Sequence, residues 1–183
     1  MATFKVQGGV KLKGELHPQG AKNEALQVLC AVLLTPEEVV MENVPNIRDV
    51  NILIDLLRDL NVKVNQIDKE TYSFKADEVN VDYLSSEDYK AKSSRIRGSI
   101  MIVGPLLSRY GKGYIPRPGG DKIGRRRVDT HFIGFEKLGA KFVYDSKEEF
   151  YRVTSDELKG TYMLLDEASV TGTANIVMTA VMA

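Results

Sequence analysis

The sequence predicts an α/β fold that is built from repeated units of strands and helices. The chain of 183 residues is 43% hydrophobic and 27% charged, which is typical of a globular protein with its own core. Segments that alternate apolar and polar residues, as strands do, follow segments with a helical period of apolar residues. A residue pattern that begins at Arg48 returns at Arg126, 78 positions later, which indicates an internal repeat.

The first round of the repeat contains two predicted helices. Asn23–Leu34 has the apolar composition of a buried helix, and Thr35-Pro36 ends it because proline cannot continue the helical hydrogen bonds. Arg48–Leu60 is amphipathic, with its apolar residues on one face. We expect the polar stretch from Asp77 to Asp88 to be a surface connection. Strands are predicted at Phe4–Gln7, Lys11–Leu16, Val39–Val44, Val62–Val64 and Tyr72–Lys75.

The second round repeats the order of the first. Helices are predicted at Arg95–Leu107 and Val128–Leu138, a turn at Tyr110–Gly113, and strands at Lys141–Tyr144, Phe150–Val153 and Tyr162–Leu165. A third round opens at Ser169–Ala183, where the chain stops inside an apolar helical pattern. We therefore expect this sequence to be a fragment of a longer protein.

Composition and charge narrow the class of function. Lys plus Arg and Asp plus Glu number 25 each, so no overall field favours binding to nucleic acid or to a membrane. No apolar stretch approaches the roughly 20 residues needed to span a bilayer, and the first residues lack the basic-then-apolar pattern typical of a signal peptide. The single cysteine, Cys30, excludes an internal disulfide, and we expect a cytoplasmic protein. His17 and His131 have no partners at ligand spacing, so no metal or cofactor is expected.

Two short segments at predicted helix starts favour anion binding. Gly20-Ala21-Lys22-Asn23 places a glycine, a cation and an amide where free N–H groups and the helix dipole attract negative charge. Arg95-Ile96-Arg97-Gly98-Ser99 adds guanidinium groups, which bind phosphate or carboxylate bidentately. An ordinary helix entry with solvated cations is the alternative for both segments.

The segment from Pro118 to His131 is the strongest candidate for chemistry. Gly119-Gly120 predicts a loop that can close over a ligand, and Asp121 at its tip can present a carboxyl group. The three arginines Arg125–Arg127 then meet a helix N-terminus, an arrangement that costs stability unless an anion binds there. The segment has neither the Walker sequence nor the glycine spacing of a dinucleotide site.

A weaker signal lies at Ala168–Thr173. Its small hydroxyl residues and glycine could cradle a diphosphate with backbone N–H groups. Ser or Thr acting only as a helix N-cap explains the same residues. His131 could likewise be structural or contact a ligand.

Together, these segments resemble the enolpyruvyl transferases. The match extends over essentially all 183 residues, and the Pro-Gly-Gly loop followed by Ile-Gly-x-Arg is its most specific part. The matching residues are Gly20-Ala21-Lys22-Asn23, Asn43-Val44-Pro45 with Asp49, Arg97 with Ser99-Ile100, Gly104-Pro105-Leu106, Pro118-Gly119-Gly120, Ile123-Gly124, Arg126, Val128-Asp129, His131 and Leu138-Gly139-Ala140.

The resemblance implies a fold of two domains, each an inside-out α/β barrel of three βαβαββ units, with the active site between them. Residues 21–183 would form most of domain one, about two and a half units. Residues 1–20 would form strands that pack with the second domain, which is absent from this sequence.

The resemblance also implies a reaction and its residues. Enolpyruvyl passes from phosphoenolpyruvate to the 3′-hydroxyl of UDP-N-acetylglucosamine by addition and elimination, with release of phosphate. Asp121 would be the proton donor and Lys22 a second catalytic residue. The general base is expected in the absent domain, so the chain alone should be inactive. The implied substrate-binding residues are Lys22, Asn23, Arg97, Arg126, Arg127, Val128, Asp129, Thr130, Ser169, Val170 and Thr171.

Two positions depart from the family pattern. Most members carry cysteine where this sequence has Asp121, and a carboxylic acid keeps a proton donor but removes the nucleophilic thiolate. The resemblance therefore predicts resistance to fosfomycin, the epoxide that alkylates that cysteine. Arg127 replaces the usual proline beside the uridine site, which leaves the nucleotide contacts open.

Two alternatives remain. Another enolpyruvyl transferase, such as the one that acts on shikimate 3-phosphate, shares the fold. A nucleic-acid-binding module would use Arg125–Arg127 on the phosphate backbone, although the net charge is zero and no aromatic residues interleave with the cluster.

Overall fold

A computed structural model describes residues 3–115, 127–146 and 150–183. Short 3₁₀ helices at Val32–Leu34, Val81–Ser85 and Arg97–Ile102 accompany the main elements. In chain order the main elements are α1 (Lys22–Ala31), β1 (Glu38–Met41), α2 (Arg48–Asp59), β2 (Lys63–Gln66), β3 (Tyr72–Lys75), α3 (Glu87–Ser93), α4 (Val103–Tyr110), β4 (Lys112–Ile115), α5 (Asp129–Lys137), β5 (Lys141–Asp145), β6 (Phe150–Thr154) and α6 (Val170–Ala180).

The same unit of helix, strand, helix and two strands occurs twice, which confirms the predicted repeat. Each unit forms a three-stranded sheet, with strand orders β1-β3-β2 and β4-β6-β5. In both sheets the last strand lies in the centre and is antiparallel to its two neighbours. The central residues Phe74 and Val153 are fully buried, because the helices cover one face of each sheet.

The helices bury the apolar faces that their sequences predict. α2 turns Val50, Leu53 and Leu57 into the core, where burying each such side chain contributes about 1.5–3 kcal/mol. α4 ends at Gly111, which adopts the left-handed conformation with φ 66° and donates its N–H to the Leu107 carbonyl at 3.0 Å. That reversal lets β4 begin at the next residue, so strand Lys112–Ile115 begins within the turn predicted at Tyr110–Gly113.

The polar connection between the units contains more structure than predicted. The 3₁₀ helix Val81–Ser85 and the start of α3 lie within the stretch expected to be surface connection. The side chains of Asn80 and Ser86 cap these helices by accepting backbone N–H bonds. Such short helices depend on caps, which a search for apolar periodicity overlooks. The predicted helix Arg95–Leu107 is a 3₁₀ helix that continues into α4.

Three predicted strands are absent. Residues of Phe4–Gln7, Lys11–Leu16 and Tyr162–Leu165 lie outside any strand, and Phe4 and Tyr162 are 92% and 93% exposed. A strand persists only when a neighbour satisfies its backbone N–H and C=O groups, and no described strand lies beside these segments. The assignment of residues 1–20 to a second domain stays a prediction. Within the described residues, no helix combines the length and apolar character that crossing a bilayer requires.

Candidate anion-binding site at the helix starts

The start of α1 carries a partly exposed cation. Gly20 approaches the Asn43–Pro45 turn so closely that a side chain there would run into the Asn43 carbonyl oxygen. The segment at Gly20 and the turn Asn43–Pro45, which are separate in the sequence, are therefore in contact in the fold. Lys22 then begins α1, and its Nζ lies 3.0 Å from the Asp49 carboxylate at the start of α2. An anion that binds here would contact the Lys22 ammonium group while that group is also paired with the Asp49 carboxylate. Asn23 is exposed in the same first turn of α1.

Arg97 begins the 3₁₀ helix next to α1. A Cβ on the neighbouring Gly98 would lie 3.1 Å from Leu26 Cδ1, one helical turn beyond Lys22. The Arg97 guanidinium donates a hydrogen bond to the backbone carbonyl of Arg127 at 2.7 Å. Arg97 therefore connects the side of the site formed by α1 to the start of α5.

Arg127 is surrounded by carboxylates. Its guanidinium donates hydrogen bonds to Asp129 at 2.8 Å and to Asp166 at 2.7 Å, and it lies 4.0 Å from Glu167. The hydrogen bond from Arg127 holds the pKa of the Asp129 carboxyl below its ordinary value. Thr130, which is buried, donates its hydroxyl at 3.2 Å to Asp166 and Glu167. One cation thus faces three carboxylates, and Arg127 ties the start of α5 to the segment before α6.

The start of α6 lies against the start of α5. A Cβ on Gly172 would lie 2.9 Å from the Thr130 methyl group. Ser169 is the N-cap of α6, and its Oγ accepts the Gly172 N–H at 3.1 Å. Val170 is exposed and Thr171 is half-buried. Ser169 therefore acts as a helix N-cap, and Val170 in the first turn of α6 remains exposed.

His131 is a buried neutral side chain. Only 2% of it is exposed, and its Nδ1 lies 3.1 Å from the side-chain nitrogen of Asn175. Burial, together with the positive charge of Arg97, lowers the pKa of His131 from 6.5 to about 4. His131 is therefore uncharged near neutral pH. Asn175 was not identified from the sequence, although the single amide side chain of α6 was a signal.

A groove of about 310 Å³ borders the start of α1. Its lining includes Gly20, Ala21 and Val28, with Glu24 and Glu42 as its only charged side chains. The negative charge of those carboxylates disfavours an anionic ligand inside this groove.

Several predicted residues lie outside the described residues. These are Asp121 and Arg126, together with the rest of Pro118–Arg125. Within the described ranges, no group of three or more His, Cys, Asp or Glu side chains is arranged to hold a metal ion.

Known proteins with a similar sequence cover the whole chain. The profile of a family described as EPSP synthase (3-phosphoshikimate 1-carboxyvinyltransferase) matches residues 6–183. UDP-N-acetylglucosamine 1-carboxyvinyltransferase from Bacteroides fragilis is 58% identical over 183 residues, and the same-named protein from Porphyromonas gingivalis is 57% identical. Each alignment covers 100% of this chain but 42% of the relative, so the chain spans about two fifths of their length.

Solved structures share the fold. The enolpyruvyl transferase NikO from Streptomyces tendae matches 96% of this chain and 39% of its own, with a TM-score of 0.74 and 20% identity. EPSP synthase from Acinetobacter baumannii matches 93% of this chain and 38% of its own, with a TM-score of 0.64 and 13% identity. The α/β fold class and its likeness to enolpyruvyl transferases are therefore confirmed.

Proposed function

Because this chain belongs to the EPSP synthase family, we propose that it forms part of a transferase that moves enolpyruvyl from phosphoenolpyruvate to UDP-N-acetylglucosamine. The observation that carries the choice of sugar nucleotide is the 58% identity, along the entire chain, to relatives named for that substrate. Such an enzyme acts in peptidoglycan synthesis, and we place it in the cytoplasm. The relatives are more than twice as long, so turnover is proposed for a longer protein that includes this chain.

The proposed chemistry needs cations around a phosphate and a carboxylate. The sugar hydroxyl adds to C2 of phosphoenolpyruvate while a proton reaches C3, and loss of a C3 proton and of phosphate then restores the double bond. We assign Lys22, Arg97 and Arg126 to the phosphoenolpyruvate anion, and Asp121 to the protonation of C3. Lys22 and Arg97 support this assignment because they lie at adjoining helix starts.

We assign the sugar nucleotide to the remaining helix starts. Asn23 would contact the sugar, Ser169–Thr171 the diphosphate, and Arg126–Thr130 the uridine end. The packing of the α5 start against the α6 start supports this grouping. The Arg127 guanidinium is engaged by three carboxylates, so we expect it to order the α5 start rather than to bind phosphate.

Calorimetry of UDP-N-acetylglucosamine binding to this chain tests the proposal. We expect binding that weakens roughly tenfold or more in Arg97→Ala, because the hydrogen bond from the charged Arg97 to the Arg127 carbonyl, which contributes about 1.5–3 kcal/mol, holds the α5 start that we assign to the uridine end. Lys69→Ala is the matched control, since Lys69 is an exposed cation in the β2–β3 turn. Binding of shikimate 3-phosphate in its place would favour the other enolpyruvyl transferase. A salt-dependent shift with generic oligonucleotides, and none with the UDP-sugar, would favour a nucleic-acid-binding module.

We further propose that the complete enzyme resists fosfomycin, since the carboxyl of Asp121 lacks the thiolate that attacks an epoxide. Activity of the complete enzyme, followed over time with the epoxide, is expected to stay constant. Asp121→Cys should create time-dependent inactivation, and Asp121→Asn should lose activity because an amide cannot donate the proton. Rapid inactivation of the unaltered enzyme would contradict the assignment.

A further inference from the structure

Asn175 joins three elements from inside the protein. It lies on α6, its exposed fraction is 0%, and α6 has no charged residue. Its side chain bonds the 3₁₀ helix at Ile100, the start of α4 at Gly104, and α5 at His131. A buried amide saturated in this way has a single orientation available to it.

The backbone partners of Asn175 fix which end of its amide faces His131. The Gly104 N–H can only donate, so the atom at 2.9 Å from it is the amide oxygen. The Ile100 carbonyl can only accept, so the atom at 2.9 Å from it is the amide nitrogen. That nitrogen also lies 3.1 Å from His131 Nδ1, which must therefore accept its hydrogen. The proton of the neutral ring is consequently on Nε2.

We infer that Asn175 is a positioning residue that holds His131 as the neutral Nε2–H tautomer beside Arg97. The consequence for ligand binding rests on the proposed function. An imidazolium at this place would repel the Arg97 guanidinium, which now reaches the Arg127 carbonyl at 2.7 Å. By keeping His131 uncharged, Asn175 leaves Arg97 in its hydrogen bond with the Arg127 carbonyl.

The charged groups around His131 agree with this role. Arg97 faces it from the 3₁₀ helix, and the Asp129 carboxylate on its own helix is paired with Arg127. Helix α6, which contains Asn175, supplies no carboxylate that could stabilise a second proton on the ring. Burial and the charge of Arg97 both lower the pKa of His131.

Nuclear magnetic resonance of the histidine ring nitrogens in this chain tests the inference. His17 is the only other histidine and is exposed, so it serves as an internal reference. We expect an unprotonated, hydrogen-bonded Nδ1 in His131 and a neutral ring down to about pH 4. Protonation of Nδ1, or titration near the ordinary 6.5, in the unaltered chain would overturn the inference even if no variant folds.

Asn175→Asp is the matched substitution, because it keeps the shape but replaces the donor with a carboxylate. We expect His131 to take up a proton on Nδ1 and to titrate above 6.5, since the new carboxylate favours the imidazolium. Thr179→Val is the control: it removes the bond from Thr179 to the Asn175 backbone at 2.8 Å without reaching the ring. An unchanged His131 titration in Asn175→Asp would refute the positioning role.

Ligand binding separates this inference from the proposed function. UDP-N-acetylglucosamine should bind the unaltered chain roughly tenfold more weakly as the pH falls towards 4, because the unpaired imidazolium then repels Arg97, and His131→Asn should not show this additional loss. The same pH dependence of binding in the two chains would refute the effect on Arg97. If the ring nitrogens behave as expected but the unaltered chain binds no UDP-sugar, the proposed function fails and the tautomer assignment stands.

Discussion

Gly104→Ala should destabilise the chain through the first turn of α4. A Cβ at this position would run into the Asn175 amide oxygen, and it would lie 2.5 Å from the Asn175 backbone oxygen and 2.8 Å from Thr179 Oγ1. The backbone oxygen cannot rotate away, so α6 must shift as a whole. That shift would disturb all three hydrogen bonds of the Asn175 side chain.

The magnitude follows from opposing terms. Alanine is favoured over glycine in a helix by about 1 kcal/mol. Overpacking a core costs about 1–3 kcal/mol, and each weakened hydrogen bond of a buried amide costs about 1 kcal/mol. With about 2 kcal/mol for the clash and three bonds weakened, less the helix preference of alanine, the net loss is about 4 kcal/mol. A typical domain has a free energy of unfolding of about 5–15 kcal/mol, so this loss is readily measured.

Urea denaturation followed by circular dichroism measures this loss, since the chain has no tryptophan for fluorescence. Gly160→Ala is the matched control, because a Cβ there meets nothing within 4 Å. We expect its free energy of unfolding to change by no more than about 0.5 kcal/mol. If Gly104→Ala is as stable as Gly160→Ala, the packing of α4 against α6 described above is wrong.

Three further predictions concern buried or partly buried groups. Because the pKa of His131 is lowered in the native chain, the unfolded chain binds a proton at this residue more readily than the native chain does. The free energy of unfolding is therefore at its full value above pH 6.5 and falls by about 3 kcal/mol towards pH 4. Urea titrations across this range should show the loss in the unaltered chain and not in His131→Asn. Arg109 donates to the carbonyls of Leu33 at 3.2 Å and Ala76 at 2.6 Å, so Arg109→Ala should lower the free energy of unfolding by about 2–3 kcal/mol, with only partial recovery in Arg109→Lys. An effect below that of an exposed arginine would contradict this role. Burial raises the pKa of the Cys30 thiol, so a thiol reagent should modify it only when the chain unfolds, and rapid labelling under native conditions would show that it is accessible.

The repeat could be predicted because it depends on local patterns. Tyr72–Lys75 is a strand with the predicted bounds, and α2 ends within one residue of the predicted Leu60. In both segments the apolar residues recur with the period of the element that forms, and neighbouring elements bury those residues. The alternating segments Phe4–Gln7 and Tyr162–Leu165 carry a similar pattern, but no described strand is beside them. Alternation of apolar and polar residues therefore identifies a segment that could form a strand. The strand forms only where a neighbouring strand pairs with its backbone.

The candidate site was predictable in its residue types but not in its pairs. Lys22, Arg97 and Ser169 were identified because each stands at a helix start. Their partners lie far along the chain: Asp49 beside Lys22, and the Arg127 carbonyl beside Arg97. No local pattern carries information on such distant pairs.

The sequence by itself determined most of the helices and strands, the repeat, and the places where helix starts concentrate cations. Only the tertiary structure decided which partners those groups meet and that His131 is uncharged, because both depend on neighbours that the fold brings together. Arg127 meets Asp166, which is 39 positions away, and His131 meets Asn175, which is 44 positions away. These neighbours pair Arg127, for which anion binding was predicted, with carboxylates, and they make one undecided histidine a neutral, buried part of the core.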